Sequence, residues 1–145
     1  MRVNQQTLIN SFYAKALAVK KVTENKGKKT AGVDKELWTT KNQKYQAAMD
    51  LNPIGYKAKP TRRVFIKKSN GKLRPLSIPT MKDRAMQTLY LFALQPIAET
   101  TGDRRSFGFR KYRSCTDAME QLFTMLSTKR SGQWILEGDI VVITS

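Results

Sequence analysis

The chain has 145 residues, with 27 lysines and arginines against 11 acids, a formal charge of +16, one cysteine and no histidine. That length holds one domain with a real core, and a hydrophobic content of 40 % lets it fold rather than remain a basic tail. The single Cys115 excludes an internal disulfide, the lack of histidine excludes a His-based zinc site or triad, and no apolar run approaches the roughly 20 residues that span a bilayer. No apolar stretch follows Arg2 and Asn4 as in a secretory signal, so the expected location is cytoplasmic, or organellar after import. The positive excess calls for a polyanionic partner. It is spread over loops and strands rather than set opposite one apolar helical face, which favours nucleic acid over a membrane surface.

Residues Gln5 to Val22 read as one amphipathic helix, because Leu8, Phe12, Ala16, Val19 and Val22 recur at spacings of three and four. Asn25 to Gly32 (NKGKKTAG) breaks that period with two glycines and three lysines and is expected to be a flexible basic loop, either a solvated linker or a nucleic-acid contact. A second helix is expected from Lys41 to Leu51, with Thr40 as its cap and Pro53 enforcing its end. From Ile54 to Arg74 there are eight cations and no acid. Within that stretch Arg63, Phe65 and Lys67 alternate with Val64, Ile66 and Lys68, and Asn70-Gly71 follows, a strong hairpin signal because both residues tolerate positive φ. Leu73 to Ile78 is the expected partner strand.

Thr80 with Asp83 resembles a capping box opening a helix that reaches about Glu99, with Met81, Ala85, Leu89, Phe92, Ala93 and Ile97 on its buried side and Gly102 closing it. Ser106 to Arg113 (SFGFRKYR) suits a short strand or turn. Ser114 and Asp117 open a last helix whose stripe of Cys115, Ala118, Leu122 and Leu126 makes the cysteine a small buried hydrophobe. Gln133 to Ile143 (QWILEGDIVVI) reads as a buried strand.

Few residues can carry chemistry. Asp139 inside an apolar strand is an expensive carboxylate unless a metal or base neutralises it, and Glu137 lies on the same strand face; the plainer alternative is that both are solvated at a strand end. Lys68 and Arg74 flank the Asn70-Gly71 turn and can reach one phosphate as a point charge and a fork, or form a merely solubilising hairpin. Phe107, Phe109 and Tyr112 interleave with Arg110, Lys111 and Arg113, which fits base stacking, although a Gly-flanked phenylalanine pair is more often core.

Taken in order, four blocks resemble the amino-terminal half of the reverse-transcriptase domain in group II intron-encoded proteins. NKGKKTAGVD (25–34) is similar to the amino-terminal extension loop, RRVFIKKSNGKLRPLSIPTMKDRAMQ (62–87) to the first fingers block, SFGFRKYRSCTDAM (106–119) to the second, and QWILEGDI (133–140) to the start of the palm. The resemblance implies an α+β fold: an amino-terminal helical extension with a basic loop (1–53), the fingers of a right-hand polymerase with its β-hairpin (54–130), and a first palm strand (131–145). It implies that Lys68 and Arg74 contact the incoming nucleotide, and that Lys26, Lys28, Lys29, Arg62, Arg63, Arg110 and Arg113 touch template or intron RNA. Asp139, with the backbone carbonyl of Ile140, matches the first metal-binding position. Full-length enzymes of this kind use Mg2+, and none is expected in this chain, whose catalytic site is incomplete. Primer DNA, the remainder of the enzyme and a second copy of the chain are the further partners it suggests, and no membrane. Two departures stand out: Lys111 replaces a usual proline, and Val141-Val142-Ile143-Thr144-Ser145 puts Thr144 where an aromatic sugar gate belongs. The expected function is RNA-directed DNA polymerisation by the whole enzyme, with a role in intron splicing and mobility, and none by this chain alone. The alternatives are a stand-alone basic RNA-binding or RNA-chaperone module, or a fragment that regulates or assembles with a full-length enzyme.

Overall fold

The computed structural model of the protein describes residues 3–128, 132 and 134–138. They form an α+β fold of five α-helices and one two-stranded antiparallel sheet, and the chain divides at Thr100 into two units.

In the first unit the expected amino-terminal helix is two helices, α1 (Val3–Asn10) and α2 (Phe12–Glu24). Ser11 separates them because its hydroxyl accepts from the Ala14 amide at 3.2 Å and holds an extended backbone, the role of an N-cap. The restart shifts the phase of the apolar stripe. Val19 and Val22 are buried as expected, but Ala14 and Ala18 join them while Leu8 and Phe12 stay exposed. A 3-10 turn (Lys26–Lys29) follows. α3 (Lys41–Met49) starts at a complete capping box, in which Gln43 donates its amide to the Thr40 hydroxyl and returns its side-chain oxygen to the Thr40 amide.

Strands β1 (Arg62–Lys67) and β2 (Leu73–Ile78) pair from Arg62 opposite Ile78 to Lys67 opposite Leu73. Their turn is longer than the two-residue turn that Asn-Gly suggests. The Gly71 amide donates to the Lys68 carbonyl at 3.0 Å and the Lys68 amide to Lys72 at 2.8 Å, and in that turn only Gly71 has positive φ, at +79°. This is a type I turn closed by a glycine bulge, and Asn70 serves it through its side chain, which accepts from the Lys72 amide. Pro75 costs nothing in the ladder because it stands opposite Phe65 at a non-hydrogen-bonded pair, where its nitrogen faces away from β1.

α4 (Met81–Thr101) supplies the floor of the core, with Met81, Ala85, Met86, Leu89 and Ala93 buried in one cluster with Ile9, Ala14, Ala18, Val19, Val22, Ala48 and Leu51. Phe92 is partly buried and Ile97 exposed, because the far end of α4 leaves that cluster. The core therefore joins residues before and after position 53.

In the second unit residues 103–113 form successive turns rather than a strand, and α5 (Cys115–Leu126) begins at a Ser114–Asp117 capping box. The expected buried stripe on α5 is not buried: Cys115, Leu122 and Leu126 are exposed. The physical reason is that a stripe needs an opposing layer, and among the described residues of this unit only turns accompany the helix. Residues 134–138 take no strand conformation, and Trp134, Ile135 and Leu136 are exposed. A strand needs a hydrogen-bonding neighbour, and the sheet among the described residues is complete with β1 and β2. The remainder of the expected strand lies outside the described residues.

The basic segment before α3 is not a free linker. A Cβ added to Gly32 would lie 2.6 Å from the Thr80 Cα and 2.8 Å from the Thr80 amide nitrogen, so the segment's backbone is pressed against the start of α4. Both obstacles are backbone and cannot turn aside. Gly32→Ala should therefore destabilise the protein by about 1–3 kcal/mol, read as a lower urea midpoint; an unchanged midpoint would show that this contact is loose.

Candidate nucleic-acid interface

The candidate interface is built on a buried carboxylate. Asp83, 3 % exposed in the first turn of α4, accepts on one oxygen from the Tyr56 hydroxyl at 2.5 Å and the Lys59 amide at 3.4 Å. On the other it accepts from the Thr80 hydroxyl at 2.5 Å and the Thr80 amide at 3.3 Å. Its own amide donates to the Thr80 hydroxyl, completing the expected capping box. Burial alone would raise this carboxyl. The hydrogen bonds from Thr80 and Tyr56 and from the Lys59 and Thr80 amides outweigh it and hold the group below the ordinary carboxylate range. Tyr56 is pushed up, first by burial and then by the bond to Asp83 and the charges of Asp83 and Asp34.

This clasp fixes both ends of the hairpin. β1 begins three residues after Lys59, and β2 ends two residues before Thr80. Among the described helices and strands, β1 and β2 make their main contacts with each other. The register places Arg62, Val64 and Ile66 with Ile78, Leu76 and Arg74 on one face, and Lys68, two residues beyond Ile66, continues that face. Lys68 and Arg74 are thus brought together beside the turn, both exposed, while Arg63 lies on the opposite face with Phe65 and Lys67. Exposed Phe65, Ile66, Leu73 and Leu76 sit between the cations.

The basic loop is held by Arg84, the residue after the clasp. Its guanidinium donates to the carbonyls of Pro79 at 3.1 Å, Gly27 at 2.9 Å and Thr30. Burial lowers its pKa and the charge of Asp34 opposes that shift. Asp34 in turn pairs with Lys59 at 3.6 Å. Lys26, Lys28 and Lys29 are exposed on the 3-10 turn so anchored. In the second unit, taken by itself, Arg113 donates to the carbonyls of Arg104 at 2.6 Å and Ser106 at 2.7 Å, bracing the turn that carries half-buried Arg110.

Tyr56, Arg84 and Gly32 escape sequence reasoning. Thr80-x-x-Asp83 is legible as a cap, but nothing in spacing links Asp83 to Tyr56, 27 residues away, or Arg84 to Gly27, 57 away. Asp139 and Ile140 lie outside the described residues. Among the described residues no group of three or more carboxylate, cysteine or histidine side chains is placed to hold a metal ion, and no helix is long and apolar enough to cross a membrane.

A basic hairpin on an α+β scaffold, with an ordered cationic turn at Lys26–Lys29 in the same unit, suits contact with a polyanion, and comparison with known proteins makes this specific. Residues 1–51 match the N-terminal domain of reverse transcriptase, and residues 66–141 match the reverse transcriptase (RNA-dependent DNA polymerase) family. The chain belongs to the reverse transcriptase family, in the branch encoded by group II introns. It is 32 % identical over 127 residues to the group II intron-encoded protein LtrA of Lactococcus lactis subsp. cremoris, which covers 86 % of this chain and 21 % of LtrA. Protein YkfC of Escherichia coli K12 is 44 % identical over 87 residues, 59 % of this chain and 23 % of that protein. The putative COX1/OXI3 intron 1 protein of Saccharomyces cerevisiae is 28 % identical over 142 residues, 97 % of this chain and 17 % of its own length. The chain thus spans less than a quarter of the length of these relatives.

The clasp has a pH signature. With its folded pKa below the unfolded value, Asp83 binds its proton less readily in the native state, so its contribution is full above the ordinary carboxylate pKa of about 3.9 and is lost as pH falls through the folded value. Asp83→Asn keeps the shape but turns an amide NH2 toward two donors. It should cost about 2 kcal/mol or more at neutral pH and flatten the acid limb of a stability–pH curve measured by urea unfolding. An acid limb as steep as that of the parent would mean that other carboxylates set it.

Proposed function

We propose that this chain is the RNA-binding and nucleotide-contacting amino-terminal part of a group II intron reverse transcriptase. In this reading residues 1–53 form the extension, 54–130 the fingers and 131–145 the first palm strand of an RNA-directed DNA polymerase that also serves intron splicing and mobility. The observation that carries it is the hairpin register, which sets Lys68 and Arg74 on one face beside a tight turn, with both ends of the hairpin fixed at Asp83. A lysine offers a point charge and an arginine a fork, and together they suit the oxygens of a triphosphate. Lys26, Lys28, Lys29, Arg62, Arg63, Arg110 and Arg113 are assigned to RNA phosphates, with Arg113 also shaping its own turn. Mg2+ in the whole enzyme would supply charge neutralisation at the transferred phosphoryl group, and the Asp139 carboxylate with the Ile140 carbonyl would be its first oxygen ligands. A two-metal site needs carboxylates from further strands, so the chain by itself binds RNA and does not polymerise.

Two measurements test this. The purified chain should bind RNA with an affinity that falls about tenfold or more between about 50 and 200 mM salt, and should extend no primed template with magnesium. Salt-independent binding, or extension abolished by Asp139→Asn, would overturn it. In a reconstituted full-length enzyme Arg74→Ala should reduce nucleotide incorporation more than RNA binding, because a triphosphate-facing fork stabilises the transition state while RNA affinity is shared over many phosphates. Equal losses in the two assays would make Arg74 a backbone contact.

A further inference from the structure

The turns at 103–113 hold two aromatic residues where backbone chemistry asks for glycine. The Arg110 amide donates to the Phe107 carbonyl at 3.2 Å, and the Arg113 amide to the Arg110 carbonyl at 3.4 Å, so two consecutive four-residue turns share Arg110. Their third positions are Phe109, with φ +59°, and Tyr112, with φ +61°. Gly108 and Lys111, the second positions, are not among the positive-φ residues. Negative then positive φ is the pattern of a type II turn, whose third position favours glycine because a side chain there is strained.

Nothing in the packing of the described residues accounts for the strain. Phe109 is fully exposed and Tyr112 is 91 % exposed, so neither ring contributes to a core. Phe107 is the ring that turns inward; it is half-buried, with the Arg113 guanidinium 5.7 Å from its centroid. That guanidinium also ties the turns to the carbonyls of Arg104 and Ser106, so Phe107 and Arg113 hold a frame from which the other two rings project. Around them residues 103–113 carry five cations, Arg104, Arg105, Arg110, Lys111 and Arg113, against the single acid Asp103. The Lys111 ammonium lies 4.9 Å from the Tyr112 centroid, setting a charge for a phosphate next to a π face.

We infer that Phe109 and Tyr112 are stacking platforms for unpaired bases, so that this turn pair selects single-stranded RNA. The inference rests on the RNA-binding reading above and adds the form of RNA that is recognised. Exposed rings interleaved with cations bind any unpaired base through its face while the cations neutralise the backbone; bases already stacked within a duplex offer no such face. The strained turns present the rings outward instead of letting them fold onto α5, where exposed Met119, Leu122 and Phe123 offer an apolar surface in the same unit.

The test uses the 145-residue chain with an oligouridine of about 12 nucleotides and an RNA duplex of similar length, a size suited to a single platform. The double variant Phe109→Gly/Tyr112→Gly removes both rings and relieves both turns, so its thermal stability should not fall. Its affinity for the single strand should drop about tenfold or more, while duplex affinity and its salt dependence stay within about twofold of the parent. The double variant Phe109→Trp/Tyr112→Trp should retain single-strand binding. Single-strand affinity that survives loss of both rings would overturn the inference and leave the rings as a protein-docking feature. An equal loss on both probes would also overturn it. Absence of binding to either probe by the parent chain would instead sink the RNA-binding reading and this inference with it.

Discussion

Much of the first unit depends on a single buried carboxylate. Asp83 sits in a protein of net charge +16, yet its partners are a hydroxyl pair and two backbone amides rather than a lysine or arginine. A buried charge is tolerable only when hydrogen bonds replace its hydration, and here they come from three residues in two stretches of chain. Thr80 belongs to the start of α4, while Tyr56 and Lys59 belong to the segment that leads into β1. The carboxylate therefore ties the hairpin's entrance to its exit. A two-stranded hairpin is marginal by itself, and closing its base in this way is what lets an otherwise exposed ribbon hold Lys68 and Arg74 in one register.

The neighbouring arginine extends that logic to the basic loop. Placing Lys26, Lys28 and Lys29 close together costs repulsion, and a solvated linker would spread them out. Arg84 instead takes the carbonyls of Gly27 and Thr30 as acceptors, and Gly32 lets the chain lie directly on Thr80. A cation committed to backbone carbonyls is here a structural part, and the lysines it positions stay exposed. An arginine also braces backbone in the second unit, where Arg113 donates to the carbonyls of Arg104 and Ser106.

The second unit also shows how an amphipathic pattern depends on a partner. α5 carries a clear apolar stripe, but Leu122, Phe123 and Leu126 remain exposed among the described residues. The pattern states which face is to be covered; it does not supply the cover. The family match includes α5 and runs to residue 141, and the chain covers 23 % and 21 % of the length of two of its relatives.

Local chemistry was legible in the sequence because it is carried by neighbours. Thr40 as a cap, Thr80 with Asp83 and Ser114 with Asp117 announced three helix starts, and Asn70-Gly71 announced the hairpin; the part Gln43 plays in the Thr40 cap came from the structure. Four blocks in order were enough to indicate the family. The break at Ser11 and the longer hairpin turn were missed because a polar residue next to an apolar period, or an Asn-Gly pair, fits more than one backbone path. The burial of Cys115 was misjudged because spacing defines a face without its opposite layer. The bonds of Asp83 to Tyr56 and of Arg84 to Gly27, the close approach of Gly32 to Thr80, and the left-handed Phe109 and Tyr112 were decided by the tertiary structure alone. The first three join residues far apart in the chain. The last reverses a local preference that the sequence, read by its propensities, would have assigned to glycine.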